Sequence, residues 1–290
     1  MKAFKEQALL LGPRKSLVGV IAESVAPAAA GRPAVVILNS GIVHRVGANR
    51  MSVPLSRALA EAGHMVVRFD LSGIGDSEPR PDALSPLEAS LADIREVLDS
   101  LESTRGTDRV ILAGLCSGAD HSLLYAQGDP RVVGAVLLDP SLPRTLRHRI
   151  YHYRSRALRP ESWLNLVRGK NPIWRSLRGR MSGEAPVTRQ STLQDPAVRA
   201  YLERAYRTGV ENGVHFLAIL TGERSYYSGQ LLDAFPRVPF GDQLRTEYLE
   251  TSDHMFSAQA DCMRVIGTIV DWARSRPFPV RSAVAARAGG

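Results

Sequence analysis

Cysteine is scarce in this chain: 290 residues contain only Cys116 and Cys262. Two thiols cannot make a disulfide framework, so a reducing cytoplasm is the expected compartment. Long hydrophobic runs are also missing. None approaches the roughly 20 apolar residues that a membrane-spanning helix needs. The first residues, Met1-Lys2-Ala3-Phe4-Lys5-Glu6-Gln7, lack the apolar stretch of a secretory leader, and none is expected. No internal repeat is visible. Acidic residues are short in one place above all. From Ser141 to Gln190 there are twelve Lys or Arg against only Glu161 and Glu184. That segment's own excess is larger than the net charge of +8 carried by the whole chain. Its tyrosines and tryptophans (Tyr151, Tyr153, Trp163, Trp174) are interleaved with the basic residues, an arrangement suited to an acidic partner or to a solvated helical face. No nucleic-acid recognition motif accompanies the charge, so nucleic acid is not an expected partner.

What is present is the patterning of an α/β protein. The hydrophobic fraction of 44% is enough for a sizeable core. Residues 6–23 alternate apolar and polar around Gly12-Pro13-Arg14-Lys15, which predicts an edge hairpin. Short apolar runs at 34–38, from Val110 to Ala113, at 132–138 and at 214–220, with the segments 65–69 and 244–249, read as strands, the central ones buried on both faces. Helical stretches lie between them. Residues 51–62 carry Pro54 in their first turn and Gly63 just past their end. Ser85-Pro86-Leu87-Glu88 is a capping box. Leu87, Leu91, Ile94, Leu98 and Leu101 follow it at helical spacing. Strands alternating with helices predict a mostly parallel central sheet flanked by helices. A short helical piece at 229–235 and a closing amphipathic helix through Val265, Ile266, Ile269, Val270 and Trp272 complete the pattern.

One stretch carries the chemistry. The apolar run from Val110 leads into Gly114-Leu115-Cys116-Ser117-Gly118, and a helix pattern follows. A strand, a sharp turn flanked by two glycines and a helix make a nucleophile elbow, here with cysteine where serine is usual. The strained apex needs small neighbours two residues away on each side. The helix N-terminus favours a thiolate and offers the Ser117 N–H to an oxyanion. Cys116 could equally be a small buried residue after a strand.

In all, residues 6–275 resemble the α/β-hydrolase superfamily. Phe69-Asp70-Leu71-Ser72-Gly73-Ile74-Gly75-Asp76-Ser77 is similar to its strand-four turn. Leu38-Asn39-Ser40-Gly41-Ile42-Val43-His44-Arg45-Val46-Gly47 resembles the serine-aminopeptidase-like hydrolases found beside exosortase systems and in natural-product gene clusters, some with cysteine at the elbow. The resemblance implies an α/β-hydrolase fold with a core at 1–140 and 213–276. A helical basic lid would be inserted at 141–212 and a disordered tail would follow at 277–290.

It also implies nucleophile, acid and histidine in that order along the chain. His254, in an Asp-His turn after the last strand, fits the base for Cys116. The acid is open. The superfamily expects aspartate two or three residues past Gly222, where Arg224 and Ser225 stand. Glu223 is the first candidate, Asp139 the second, and a dyad without acid the third. The oxyanion hole would combine the N–H groups of Ser117 and Ile42. His44 would touch substrate. Arg45 would clamp a carboxylate or phosphate, unless it is a surface arginine. No metal and no cofactor are expected. The implied activity is acyl hydrolysis or acyl transfer through a covalent acyl-cysteine, on a small-molecule ester or thioester, with an acyl carrier protein or coenzyme A as a possible carrier. A non-catalytic binding protein on the same scaffold is the alternative. Lyase or isomerase chemistry with His254 as base is a weaker one.

Overall fold

The structure, a computed structural model, describes residues 3–25, 31–145, 147, 193–224 and 226–278. The first two strands, β1 (Phe4–Leu11) and β2 (Leu17–Ser24), pair antiparallel about a turn in which Gly12 and Lys15 take positive φ. Six further strands follow: β3 (Ala34–Leu38), β4 (Val66–Phe69), β5 (Val110–Leu115), β6 (Val132–Leu138), β7 (His215–Thr221) and β8 (Leu244–Leu249). Their order in the sheet is β1-β2-β4-β3-β5-β6-β7-β8. From β4 to β8 every pairing is parallel, and β2 meets β4 antiparallel. The hairpin thus closes one edge, and β5, which leads to Cys116, lies near the centre. This is the α/β-hydrolase fold expected from the sequence.

The central strands are apolar throughout because both faces are covered. Val36 and Leu38 of β3 and Leu112 of β5 point into one cluster; Val35, Ile37, Ile111 and Ala113 point into the other. The first cluster is covered by helices α2 (Pro86–Arg105), α3 (Ser117–Ala126) and α4 (Pro196–Glu211); the second by α1 (Ser52–Glu61) and α6 (Gln259–Ser275). The short α5 (Gln230–Ala234) precedes β8. The capping box at Ser85 and Glu88 is formed on both sides, and Gly106 closes α2 in the left-handed conformation.

Most of the expected lid, residues 148–192, lies outside the described residues, as do 279–290 of the expected tail. The last part of the 141–212 stretch is α4. Its Leu202, Ala205, Tyr206 and Val210 are buried in the first core cluster, with the Tyr206 ring against Phe216, Phe235 and Phe240. This helix makes the crossover that the parallel β6–β7 pair requires. No helix among the described residues is long and apolar enough to cross a membrane.

Candidate active site

The strands β5, β6, β7 and β8 run parallel, so the loops that follow them emerge at one end of the sheet. Those four loops hold Cys116, Asp139, Glu223 and His254.

Cys116 sits at the apex after β5 with φ 57° and ψ −114°, a conformation that costs on the order of 1–3 kcal/mol. Its backbone is fixed on both sides: its N–H donates to the Leu138 carbonyl at 2.9 Å, and its carbonyl accepts the Asp120 N–H at 3.1 Å. The two glycines are required by close approach. A Cβ on Gly114 would lie 2.3 Å from the carbonyl carbon of Gly118, and one on Gly118 would lie 2.5 Å from the Asn39 carbonyl oxygen. The thiol is half-buried and packs against the second core cluster at the N-terminus of α3.

The His254 ring bridges the thiol and a carboxylate. Its Nδ1 lies 2.8 Å from Oδ2 of Asp139, and it is also hydrogen-bonded with Cys116. Asp139 follows β6 with a positive φ and is fully buried. Its carboxylate accepts the Thr221 N–H at 2.7 Å and the Thr221 hydroxyl at 2.5 Å, which aims its free lone pairs at the imidazole. The Asp139 hydrogen bond, followed by that with Cys116, raises the His254 pKa from 6.5 to about 9, against the opposing effects of burial and of Arg224. The histidine turn is itself held. Asp253 accepts the N–H groups of Met255 and Ser257 and the Ser257 hydroxyl, and Asn49 donates to the Met255 carbonyl.

Glu223, the first candidate from sequence, stands elsewhere. Its carboxylate accepts the backbone N–H of His254 and not its ring. Glu223 stands two residues past the end of β7 and is taken up by the His254 backbone, and the ring's acid side is filled by Asp139, the first residue after β6.

The loop after β3 approaches the elbow. Val43 N–H closes a turn on the Ser40 carbonyl at 2.9 Å, with Gly41 at φ 55°. Gly41 N–H donates to the Ser117 hydroxyl at 2.6 Å. Ile42 lies at the tip with its side chain 91% exposed. Among the described residues no acceptor takes the N–H of Ile42 or of Ser117.

Arg45 does clamp carboxylates, but they belong to the chain. Its guanidinium pairs with the buried Asp70 and, at 2.8 Å, with Asp76, and its N–H donates to Asp70 at 2.6 Å. With only 15% of its side chain exposed, it braces the loop and is not available as a substrate clamp. Its Nη1 is also 2.9 Å from Nε2 of His44. His44, Asp70 and Asp76 bring three donor atoms within 4.8 Å of one another, a spacing that could hold a cation. The guanidinium of Arg45 is the cation that stands among them.

Sequence reasoning missed four supporting residues. Thr221 orients Asp139. Asn39 bridges the Leu71 N–H, the Val43 carbonyl and Asp70. Asp120 of the elbow helix accepts both the N–H and the hydroxyl of Ser141, and the buried Tyr226 hydroxyl donates to the Pro140 carbonyl at 2.8 Å. Both fix the segment just after Asp139. A polar residue at the end of an apolar strand run, as at Asn39 and Thr221, is the signal that was there to be read.

The sequence profile described as the alpha/beta hydrolase family matches residues 26–286. No curated protein matches the chain. Among solved structures, an esterase of Pyrococcus furiosus superposes with a TM-score of 0.58 at 12% identity, covering 93% of this chain and 89% of that one. A proline iminopeptidase of Mycobacterium smegmatis gives 0.55 at 12% identity, with 93% and 97% covered. An α/β serine hydrolase without lid, from Xanthomonas campestris, gives 0.54 at 17% identity, with 97% of both chains covered. These likenesses concern the fold.

Proposed function

The chain belongs to the alpha/beta hydrolase family, which makes it an enzyme of hydrolase type, and from that premise we propose that it is a cysteine-dependent acyl hydrolase or acyltransferase. Cys116 is its nucleophile, His254 its base and acid, and Asp139 the group that orients and charges the imidazole. The observation that carries this reading is the position of the His254 ring, between the thiol of Cys116 and a buried carboxylate 2.8 Å from Nδ1.

In the first half-reaction the Cys116 proton passes to Nε2 of His254. The resulting thiolate attacks the acyl carbonyl, and its electron pair becomes the new S–C bond. The oxyanion takes the N–H groups of Ser117 and Ile42, donors worth about 3 kcal/mol each where they are well aimed. As the tetrahedral intermediate collapses, the leaving alkoxide or thiolate takes the proton back from the imidazolium. A thioester remains on Cys116. In the second half-reaction the imidazole, neutral once its proton has left with the leaving group and the thiolate is acylated, removes a proton from water, or from another acceptor, as that nucleophile attacks the thioester. Collapse expels the Cys116 sulfur and restores the thiol.

An imidazole with a pKa of about 9 favours cysteine over serine as its partner. At neutral pH the ring is largely cationic, a poor base for a hydroxyl but a good counter-ion for a thiolate. The acyl-cysteine is a thioester, which amines and thiols attack more readily than they attack an oxyester, so transfer competes with hydrolysis. The basic character of residues 141–190 suits an acyl carrier protein or a coenzyme A thioester as acyl donor. The resemblance of Leu38–Gly47 to the hydrolases of natural-product clusters agrees with that donor class.

The test is a panel of esters, lactones and acyl thioesters, with intact-mass analysis of the quenched protein. A mass increment equal to the acyl group, located on Cys116 and lost in Cys116→Ala, is the expected result. Turnover that persists in Cys116→Ala would sink the proposal.

A further inference from the structure

A cleft at the opposite end of the sheet gathers four arginines. It has a volume of about 300 Å³ and is lined by Arg32, Arg109, Arg274 and Arg276, with Pro33 and Phe278 on its walls. Arg32 and Arg109 immediately precede β3 and β5, whereas Cys116 follows β5. The six residues of that strand therefore separate cleft and thiol by about 20 Å. The walls are firmly built. Arg109 donates to the carbonyls of Gly31 and Phe278, tying the start of β3 to the segment after α6. The Phe278 ring meets Trp272 and His215 edge-on at 5.4 and 5.8 Å.

The charge in this cleft is only partly neutralised. Asp108 lies half exposed 3.9 Å from Arg109, and Asp242 is near enough to act on His215. Arg276 donates to the Asp242 carbonyl, a neutral group. Among the described residues no carboxylate pairs with Arg32, Arg274 or Arg276, and Nε of Arg32 is buried without a hydrogen-bond partner. The neighbouring sequence segments 26–30 and 279–290 contain no Asp or Glu. The buried His64 and the half-buried His215 stand beside these arginines. His64, with its Nδ1 2.8 Å from the Pro33 carbonyl, has its pKa lowered chiefly by burial and further by Arg32 and Arg274; that of His215 is lowered chiefly by burial and further by Arg276, against the opposing charge of Asp242.

We propose that this cleft binds a phosphorylated small molecule, a diphosphate or a phosphate monoester, at a site separate from the Cys116 centre. Planar guanidinium forks match the paired oxygens of phosphate better than ammonium groups would, and several of them converging on one cleft suit a ligand with more than one negative charge. The volume fits a metabolite and not a macromolecule.

The experiment titrates the full-length protein with sodium pyrophosphate at constant ionic strength, by calorimetry and by NMR of the imidazole resonances. The expected result is saturable one-site binding, with the pKa values of His64 and His215 both rising on saturation. Arg32→Gln with Arg274→Gln, whose native side chains make no hydrogen bond that the fold depends on, should keep the melting temperature and weaken binding at least tenfold. Arg32→Lys with Arg274→Lys should recover only part of it. Cys116→Ala should bind as wild type does, which separates this site from the proposed acyl chemistry. No saturation at about millimolar pyrophosphate, unchanged affinity in the double glutamine variant, or equal affinity for malonate would each overturn the assignment.

Discussion

Nδ1 of His254 lies 2.8 Å from Oδ2 of Asp139, two residues 115 apart in sequence, whereas Glu223, 31 residues away, reaches only the backbone N–H of the same histidine. Two acids therefore serve one residue in different ways. Asp139 sets the charge and tilt of the ring, and Glu223 sets the path of the chain that carries it.

Replacing each acid separates those roles. Asp139→Asn should lower kcat/KM by about 100-fold or more, because the ring loses both its orienting partner and the stabiliser of its cation. Its alkaline limb should move from about pH 9 towards the ordinary histidine value of 6.5. Glu223→Gln keeps an acceptor for the His254 N–H and should change kcat/KM by about threefold at most, with the limb unmoved. Full pH–rate profiles of both variants decide the matter; a displaced limb in Glu223→Gln alone would reverse the assignment.

Stability should carry the same signature. The folded state holds the His254 proton more tightly than the unfolded state, whose value is near 6.5. Its contribution is therefore complete below pH 6.5 and disappears as the pH rises through about 9. It is on the order of 3 kcal/mol, reduced by whatever the Asp139 partner gives back. Urea midpoints measured between pH 6 and 10 should fall for wild type and stay flatter for His254→Gln.

The two thiols should differ in reactivity. Burial pushes the Cys262 thiol up, away from the thiolate. Cys116 sits beside a histidine held cationic. Under limiting iodoacetamide at neutral pH, peptide mapping should find Cys116 alkylated at least tenfold faster. Cys116→Ser should retain under about 1% of the wild-type rate, since a cationic imidazole is a poor base for a hydroxyl.

Arg45 distinguishes bracing from recognition. Its removal leaves the buried Asp70 without its guanidinium, though still bonded by Asn39 and by the N–H groups of residues 45 and 76, so Arg45→Ala should cost about 3 kcal/mol in a urea unfolding curve. A stable Arg45→Ala protein with only KM raised would return this residue to the substrate.

The Ser117 hydroxyl is a smaller matter for stability than for rate. Ser117→Ala loses a bond of about 1 kcal/mol to the Gly41 N–H. Because Ile42 is the next residue, its N–H would lose its aim, and kcat should drop by about tenfold or more while KM stays within about twofold.

The sheet was legible in sequence because its signal is local and repetitive. The apolar run at 34–38 and the segment 244–249 coincide with β3 and β8, and Ser85 to Glu88 caps α2 as its four letters predict. Cys116 was legible for the same reason, since five consecutive residues carry the turn. The acid was not. Which carboxylate faces an imidazole depends on how the loops after β6 and β7 lean, and no residue spacing records that. Arg45 misled for a related reason. Its partners Asp70 and Asp76 are 25 and 31 positions away, and a clamp for an external anion has the same letters as one closed on the chain's own acids. The last turns of the expected lid turned out to be α4, because the need for a crossover between parallel neighbours outranks the composition of the segment.

The paired glycines of the elbow divide what can vary from what cannot. Neither position tolerates one added methyl without displacing backbone. The side chain at the apex, by contrast, meets the His254 ring. Such a frame is indifferent to which chalcogen it presents. Oxygen and sulfur can be exchanged there at no cost to the architecture, and the choice between them falls to the neighbouring ring and its charge.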